Sequence, residues 1–391
     1  MTLKQTPSDF IVEEILPSNF SVVDAGAVNL APNKNHMYPV YRVEKSDIET
    51  SVALGHIAKS AGIKQSDIGY AGIKDRHAKT LQYITLPAGT KQIFLSESHL
   101  SANFIGFTDS PIQLGSHVAN KFTITIRQIL RGRVEAILSR ANDAFSNPIP
   151  NYFDSQRFGS FFDYGKVDDG ETEKAIGKNS NGINSIGLHV IHGEYEAALK
   201  LYLTQVRKSD PAHVKADKRA IESVWPKLIE APITDRVFVD IRNTYAKTQN
   251  WQAAYERIPE FERDLHISAV SSYVWNESLK CLLTNSKIKN AFSVKYAAGT
   301  LLFGKSEKPL PLTLGERKDI VEAVCKRTNI PVPLRFDWDR PLFMSTQEGK
   351  VIGAQSDELA KRPDQMQKII LSFKLLPGSY ATVAIKTILR I

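Results

Sequence analysis

The stretch Gly69-Tyr-Ala-Gly-Ile-Lys-Asp-Arg-His-Ala-Lys-Thr80 carries the densest set of chemically active residue types in the chain. It lies between two predicted strands, and its glycines let the backbone turn tightly or approach a ligand closely. Asp75 stands between Lys74 and Arg76, which favour its ionised form, and an ionised carboxylate suits nucleophilic attack. On residue types alone, a solvated hairpin turn is the better explanation, since turns collect Gly, Asp and Lys.

Around this stretch the sequence alternates strands with occasional helices. Strands are predicted at 10–16, 39–44, 68–71, 81–86 and 121–129, and helices at 46–61 and 133–146. The first helix opens on a capping box formed by Ser46 and Glu49, and Gly62 follows its last turn. The pattern indicates an α+β domain around an antiparallel or mixed sheet.

The composition changes in the middle of the chain, where 164–185 is rich in Gly, Asp, Asn and Ser, as in a linker. Beyond it, helical periodicity predicts helices at 193–208, 213–229, 248–257 and 269–284. A strand at 368–374 and a helix capped by Ser379 close the chain. This order indicates a helical domain inserted into a sheet domain whose last elements come from the C-terminus.

A second cluster of candidate functional residues reads Asn151-Tyr-Phe-Asp-Ser-Gln-Arg-Phe-Gly159. Its aromatic rings suit stacking on an unstacked base, and its amide and guanidinium groups suit reading the base edge. A loop anchored by two core phenylalanines explains the same residues equally well.

Bulk composition narrows the class of protein. Of 391 residues, 42% are hydrophobic, and Lys and Arg number 50 against 42 Asp and Glu, for a formal charge of +8. This charge fits a polyanionic partner such as nucleic acid.

The two cysteines, Cys281 and Cys325, form no Cys-x-x-Cys motif, so neither a zinc site nor a disulfide framework is predicted. The chain shows no signal-peptide pattern and no apolar run near the about 20 residues of a membrane span, so we expect a soluble cytoplasmic protein.

One motif points to a different function. Gly299-Thr-Leu-Leu-Phe-Gly-Lys-Ser306 matches the G-x-x-x-x-G-K-[ST] pattern of nucleotide-binding P-loops. A P-loop needs a helix that begins at the Gly-Lys pair, and Pro309 and Pro311 stand where that helix would run. We therefore expect a strand ending in a glycine turn, without a nucleotide cofactor. A P-loop NTPase is the alternative that nucleotide binding at Lys305 would support.

Five motifs resemble those of the TruD family of pseudouridine synthases, in the family's order along the chain. The stretch 69–80 is similar to the family signature, and 151–159 to its second motif. The other three are 4–13, 268–277 and 376–382. The resemblance implies a pseudouridine synthase catalytic domain with a mixed or antiparallel sheet at 1–174 and 346–391. It also implies an inserted, helix-rich α+β TRUD domain at 175–345.

The resemblance also assigns roles to individual residues. The nucleophilic aspartate of the family falls on Asp75 and a basic partner on Lys4, while Lys74 and Arg76 add supporting positive charge. The family's substrate-binding residues fall on Phe10, Asn151, Phe153 and Tyr380. The chain departs from the family pattern at Asp154, where Gly is usual, and at Lys386-Thr387, where Arg-Glu is usual.

The implied activity is that of an isomerase acting on transfer RNA. It would convert a uridine, at position thirteen of the D arm, to pseudouridine without a metal or other cofactor. Asp75 would act at the ribose, either by attacking C1′ or by removing the 2′ proton, and the residue pattern leaves both routes open. We expect a monomer whose partner is RNA and which does not bind membranes. The main alternative is a non-catalytic RNA-binding or RNA-folding protein on the same scaffold.

Overall fold

The computed structural model describes residues 1–22, 37–163, 183–207, 210–306, 313–332 and 336–391. The chain forms two compact units. The first unit comprises Met1–Asn151 with Phe343–Leu389, and the second comprises Tyr152–Leu342 with Arg390–Ile391. The expected domain boundary at 174/175 lies outside the described residues. The expected boundary at 345/346 stays a prediction, close to the division of the two units at 342/343.

The described residues form the following elements, numbered in chain order. The strands are β1 Phe10–Ile15, β2 Tyr38–Ser46, β3 Gly69–Tyr70, β4 Lys79–Thr85, β5 Leu95–Ser96, β6 Leu100–Thr108, β7 Ala119–Leu130, β8 Ile149–Pro150, β9 Phe161–Asp163, β10 Ile183–Ser185, β11 Ile288–Tyr296, β12 Gly299–Ser306, β13 Phe343–Met344, β14 Gln347–Ser356 and β15 Met366–Leu375. The helices are α1 Thr50–Ala61, α2 Val134–Ser146, α3 Ile186–Ile191, α4 Tyr195–Thr204, α5 Ala212–Val224, α6 Arg236–Thr248, α7 Trp251–Tyr255, α8 Glu260–Asn285, α9 Leu314–Thr328 and α10 Ala381–Leu389.

A sheet of nine strands, counted over the described residues, forms the centre of the first unit. Its strand order is β14-β15-β7-β1-β4-β2-β6-β5, and β3 pairs with β4. Strand β1 runs parallel to β4, whereas its other neighbour, β7, is antiparallel to it. The expected α+β class with a mixed sheet is therefore confirmed, and the strand from the C-terminal segment, β15, pairs with β7 near the middle of the sheet.

Alternating burial explains why β1 forms at the centre of this sheet. Phe10, Val12 and Glu14 lie on its buried side, and the residues between them are half-buried. Behind the sheet, α2 packs against α10, β14 and β15. Phe373 of β15 stacks on Phe122 with ring centroids 5.7 Å apart. Burial of such large apolar side chains is the main driving force that holds these layers together.

The first helix differs from its prediction at one end. Ser46 pairs with Lys79 as the last residue of β2 and lies four residues before the helix begins at Thr50, so the predicted capping box is wrong. Helix α1 begins at Thr50, with Glu49 as an N-cap that makes no side-chain capping bond. At the other end Gly62 adopts the left-handed conformation, with φ of 66°, as the sequence predicts.

The second unit is mostly helical, and three of its helices in the described ranges, α3, α6 and α9, are not predicted from the sequence. Helix α6 begins after Asp235, whose carboxylate accepts hydrogen bonds from the backbone N–H groups of Val237 and Phe238. Helix α8 begins at Glu260, earlier than predicted, because its first turns are polar and carry little periodic signal. No helix within the described ranges is long and apolar enough to cross a membrane.

The P-loop-like stretch is strand β12, paired antiparallel with β11. Gly304 and Lys305 therefore lie inside a strand and do not open a helix. A Cβ atom at Gly304 would come within 2.9 Å of the Ile288 side chain, so close packing of the two strands accounts for this glycine. The predicted strand is confirmed, although it continues through Gly304 instead of turning there. The expected lack of a nucleotide cofactor stays a prediction.

Candidate active site

The loop that carries Asp75 connects β3 to β4 in the first unit. Strand β3 is held against a neighbouring segment at Gly69, where a Cβ atom would come within 2.3 Å of Thr85 Oγ1 and 2.6 Å of the Ile112 carbonyl oxygen. Thr85 Oγ1 accepts a hydrogen bond from the Ile112 N–H at 3.1 Å. Only glycine fits this close approach, and it fixes the point where the loop leaves the sheet.

Asp75 is paired with a cation from a distant part of the chain. Lys4 Nζ lies 3.0 Å from Asp75 Oδ2, with the two side chains 20% and 32% exposed. The same ammonium lies 4.0 Å from the ring centroid of Phe10, within the range of a cation–π contact. The carboxylate is thus held in place while a third of its side chain faces solvent, as a group that must reach a substrate requires.

Lys4 is held by an anchored N-terminal segment. Thr2 and Arg127 exchange two backbone hydrogen bonds of 3.0 Å. The buried Arg127 guanidinium binds Asp9 at 2.8 Å and Asp357 at 2.7 Å. Lys4 itself has φ of 58°, in the left-handed region that few non-glycine residues adopt. The surrounding contacts therefore impose a strained backbone at the residue that pairs with Asp75.

A buried lysine supports the loop from below. Lys45 Nζ donates hydrogen bonds to the carbonyl oxygens of Ile48 at 2.9 Å, Lys74 at 3.4 Å and Asp75 at 2.8 Å. Lys45 as a whole is 2% exposed. Burial lowers the pKa of Lys45 to about 8, although the charge of Asp75 acts in the opposite direction.

Lys45 is not among the site residues expected from the sequence, although a signal for it is present in β2. Tyr41, Val43 and Lys45 alternate along β2 and all three are buried. A lysine in register with two core residues on a strand must find acceptors inside the protein, because an unpaired buried charge is very costly.

The other two expected basic residues pair away from the Asp75 carboxylate. Lys74 points inward and forms a buried ion pair with Glu14. Its backbone N–H donates to Thr50 Oγ1, and its carbonyl accepts from the same hydroxyl, both at 3.1 Å. Arg76 is exposed and lies 3.4 Å from Glu49. Lys74 therefore anchors the loop to the first residue of α1, and Lys4 is the expected basic residue that contacts the carboxylate.

A histidine also lies beneath the loop. Burial lowers the pKa of His117, and the positive charge of Lys74 lowers it further. A Cβ atom at Gly72 would lie 3.7 Å from this imidazole. The interior beneath the loop thus favours a neutral histidine beside the Lys74–Glu14 ion pair.

The remaining expected residues of the first unit have different exposures. Phe10 is buried, contacts Phe122 edge-on with ring centroids 6.0 Å apart, and has Lys4 over its face. Asn151 is buried and follows β8. Tyr380 is half-buried and directly precedes α10. The contacts described bring Phe10, Lys4 and Asp75 together.

Phe153 belongs to the second unit and lies on a loop bound by Asn276 of α8. The Phe153 N–H donates to Asn276 Oδ1 at 2.8 Å, and Asn276 Nδ2 donates to the Phe153 carbonyl oxygen at 2.9 Å. The guanidinium carbon of Arg340 lies 3.9 Å from the Phe153 ring centroid. A half-buried ring with its backbone fixed and a cation on one face is a suitable platform for a planar group.

The residue after it, Asp154, has a structural role. Its carboxylate accepts a hydrogen bond from the Ser155 N–H at 2.7 Å and caps the short helix Ser155–Phe158. Asp154, expected from the resemblance to stand where the family usually has glycine, therefore supplies a cap at this loop.

No cluster of three or more His, Cys, Asp or Glu suited to a metal ion occurs in the described part of the chain. The two histidines that are close in sequence have separate partners. His189 Nδ1 lies 2.6 Å from Glu194, and His192 Nε2 lies 3.0 Å from the Asn329 carbonyl oxygen.

Comparison with known proteins gives one family. The family model described as tRNA pseudouridine synthase D (TruD) matches residues 1–164 and 177–294. "Probable tRNA pseudouridine synthase D 2" of Methanocaldococcus jannaschii is 32% identical over 99% of this chain and 91% of its own length. The tRNA pseudouridine synthase D of Leptospira interrogans is 26% identical over 99% of this chain and 95% of its own length.

A solved structure agrees at the level of the fold. A crystal structure from Methanosarcina mazei, described as a tRNA pseudouridine synthase D (TruD), superposes with a TM-score of 0.64 over 100% of this chain and 93% of its own. Its sequence identity to this chain is 17%. The family match, which covers well over half of the chain, and the full-length relatives agree with the motifs around Asp75 and Phe153. This chain belongs to the TruD family of tRNA pseudouridine synthases.

Proposed function

We propose that this protein isomerises a uridine of transfer RNA to pseudouridine, with Asp75 as the residue that acts at the ribose. The observation that carries the proposal is the Asp75 carboxylate, partly open to solvent and held by Lys4 at 3.0 Å on a loop fixed from below. The curated relatives named tRNA pseudouridine synthase D support the reaction class.

The reaction requires only that the protein bind the uridine and supply one reactive carboxylate. The N1–C1′ glycosidic bond breaks, the uracil turns, and a C5–C1′ bond forms, while C5 loses a proton and N1 gains one. Atoms and electrons balance within the nucleoside and the solvent, so the reaction needs neither a redox partner nor a phosphoryl donor.

Asp75 has two possible roles in this sequence of steps. As a nucleophile it would bond to C1′ and release uracil, and as a base it would remove the 2′ proton and leave a glycal. Both roles need an ionised carboxylate, and the Lys4 ammonium lies 3.0 Å from Asp75 Oδ2. Keeping a charged lysine 3.0 Å away also fixes the direction of the reactive oxygen.

The uridine must leave its stack before its sugar can reach Asp75, at a cost of a few kcal/mol. We propose Phe153 and Tyr380 as the aromatic surfaces that replace the lost stacking, and Asn151 as the group that contacts the base edge. Phe10, buried under Lys4, acts by positioning that lysine. The formal charge of +8 favours binding to RNA phosphates, independently of sequence.

We also propose which uridine is modified, where the enzyme acts and in what oligomeric state. The target uridine is the one at position thirteen of the D arm, and the enzyme acts as a cytoplasmic monomer without a nucleotide cofactor. The placement of Gly304 and Lys305 within β12 supports the last point, since a P-loop requires them at the start of a helix.

The deciding experiment is chemical mapping of pseudouridine in unmodified transfer RNA transcripts after incubation with the protein. Asp75→Asn should lower the rate of product formation by about a thousandfold or more, because a neutral amide can neither attack C1′ nor take a proton. RNA affinity should stay within about threefold, because one carboxylate adds nothing favourable to phosphate binding. The matched control is Asp109→Asn, an exposed residue outside the loop.

A non-catalytic RNA-binding or RNA-folding protein is the alternative. It predicts tight RNA binding by the wild-type protein with no pseudouridine in any transcript. A wild-type rate in the Asp75→Asn variant would instead remove Asp75 from the mechanism.

A further inference from the structure

An apolar side chain next to Asp75 is almost fully exposed. Ile73 is 80% exposed, although it lies only two residues before the carboxylate. Exposed apolar surface is unfavourable in water, and burial of an isoleucine side chain is strongly favourable. An isolated exposed isoleucine is common, so its position relative to Asp75 is what gives it meaning.

Fraying of the loop does not explain this exposure. The next residue, Lys74, has both backbone polar groups bound to Thr50 Oγ1. The Asp75 carbonyl accepts a hydrogen bond from the buried Lys45. Ile73 is therefore presented to solvent by a backbone that is fixed immediately beside it.

Ile73 and Asp75 face the same side. Between Gly72 and Asp75 the backbone makes neither a turn nor a helix, and burial alternates, with Ile73 exposed, Lys74 buried and Asp75 half-buried. The N–H and carbonyl of Lys74 bond with the same Thr50 hydroxyl, as in an extended residue, so Ile73 and Asp75 project from one face, roughly 7 Å apart. The isoleucine side chain thus lies beside the reactive carboxylate on its solvent side.

The geometry of base flipping suggests a role for an apolar side chain beside Asp75. A flipped nucleotide rotates about its backbone, so its sugar stays in the strand, next to the gap that its base has left. If Asp75 acts at that sugar, the gap must lie within a few Å of the carboxylate. An apolar side chain inserted into a base stack stabilises the unstacked state by replacing the lost contacts.

We propose that Ile73 inserts into the gap that the target uridine leaves in the RNA base stack, and so stabilises the flipped-out state. The inference rests on the proposed function, because it requires an RNA substrate whose uridine reacts at Asp75. It assigns Ile73 a positioning role, and the occupant that buries its side chain is the pair of bases flanking the target.

The test compares single-turnover rates at saturating enzyme on two RNAs. The first is an unmodified transfer RNA transcript, and the second is the same transcript with abasic residues on both sides of the target uridine. Ile73→Ala should lower the rate on the first RNA by about tenfold or more, since most of the side chain's apolar contact is lost. On the second RNA, which has no stack to fill, the rates of variant and wild type should agree within about twofold.

Two further variants complete the experiment. Ile73→Leu keeps the apolar volume and should retain the wild-type rate on both RNAs within about threefold. Leu114→Ala is the matched control. Leu114 is also an exposed apolar residue, 73% exposed, and its neighbour Gly115 donates a hydrogen bond to the Ala71 carbonyl oxygen at 2.8 Å. It should leave both rates unchanged.

The outcomes separate the inference from the proposed function. Wild-type turnover with an unaffected Ile73→Ala variant would overturn the insertion of Ile73 and leave the role of Asp75 intact. Equal losses on both RNAs would mean that the substitution disturbs Asp75 itself, and equal effects of Ile73→Ala and Leu114→Ala would indicate general apolar contact. Either result would overturn the inference. Absence of product with the wild-type protein on every transcript would overturn both proposals.

Discussion

Two loops carry the residues proposed to bind the uridine and act on it, and in each a buried polar side chain from another element bonds to the loop backbone. Beneath Asp75 the support is Lys45, whose ammonium donates to three backbone carbonyl oxygens. Behind Phe153 it is Asn276, whose amide both accepts from and donates to the same residue. The first support is charged and can titrate, whereas the second is neutral. The difference matches the proposed tasks, because a reactive carboxylate benefits from a positive charge beneath its backbone, whereas neutral hydrogen bonds are enough to fix the backbone of a stacking residue.

The largest expected effect comes from removing the charged support. Lys45→Met removes the donor to the carbonyl oxygens of Ile48 and Asp75, while the Lys74 carbonyl keeps its bond from Thr50 Oγ1, and the change should displace Asp75. We expect a loss of turnover of about a hundredfold, the scale of a misplacement near 1 Å at a reacting group. The free energy of unfolding should fall by about 1–3 kcal/mol, the cost of unsatisfied buried acceptors.

Urea unfolding and pseudouridine formation measure the two effects of Lys45→Met. Lys121→Met is the control, because Lys121 lies on β7 with its side chain 39% exposed and makes a surface ion pair with Glu13. If Lys45→Met retained wild-type turnover, Lys45 would only stabilise the fold and the comparison between the two loops would fail.

The neutral support should matter less. Asn276→Ala removes both hydrogen bonds to the Phe153 backbone, so the ring should lose its fixed position. Turnover should fall by about tenfold, within the range for loss of one base-stacking contact. The exposed Asn285, at the end of the same helix, provides the control substitution to alanine. An Asn276→Ala variant that loses more turnover than Lys45→Met would reverse the proposed order of the two supports.

The smallest effect should come from pH, and it should distinguish the charged support from the neutral one. Raising the pH through about 8 removes the Lys45 charge beneath Asp75. Turnover should then decline by less than about tenfold, because the carbonyl contacts can partly persist with a neutral amine. The decline should be absent in Lys45→Met and present in Asn276→Ala. The groups that set this pKa besides burial are Asp75, Lys74 and Glu49.

The same titration has the opposite effect on stability. Folding lowers the pKa of Lys45 from 10.5 to about 8, so between these values the unfolded chain binds more protons than the native protein. The contribution of Lys45 to the free energy of unfolding therefore rises with pH across that window. Denaturant titrations of wild type and Lys45→Met on both sides of the window measure this contribution. A pH-independent difference would show that the lysine stays charged throughout.

Several parts of the fold could be predicted because their signals are local. The end of α1 at Gly62 follows from the left-handed conformation that glycine adopts readily, and β7 follows from strict alternation of apolar and polar residues. Helix α6 was missed and the capping box at Ser46 was wrong. The error at Ser46 has a distant cause, because pairing with Lys79 keeps this residue in strand β2.

The sequence alone identified the chemically active residue types near Asp75 and Phe153, and with them the family. These are properties of short segments, which keep their order and spacing whatever the surrounding packing. Tertiary structure alone decided which cation meets the Asp75 carboxylate. Its neighbours in the chain pair elsewhere, Lys74 with Glu14 and Arg76 with Glu49. The cation that contacts the carboxylate is Lys4, from the N-terminal segment. The reason is that the packing of distant segments against one another, which no short segment encodes, decides which charged groups meet inside the protein.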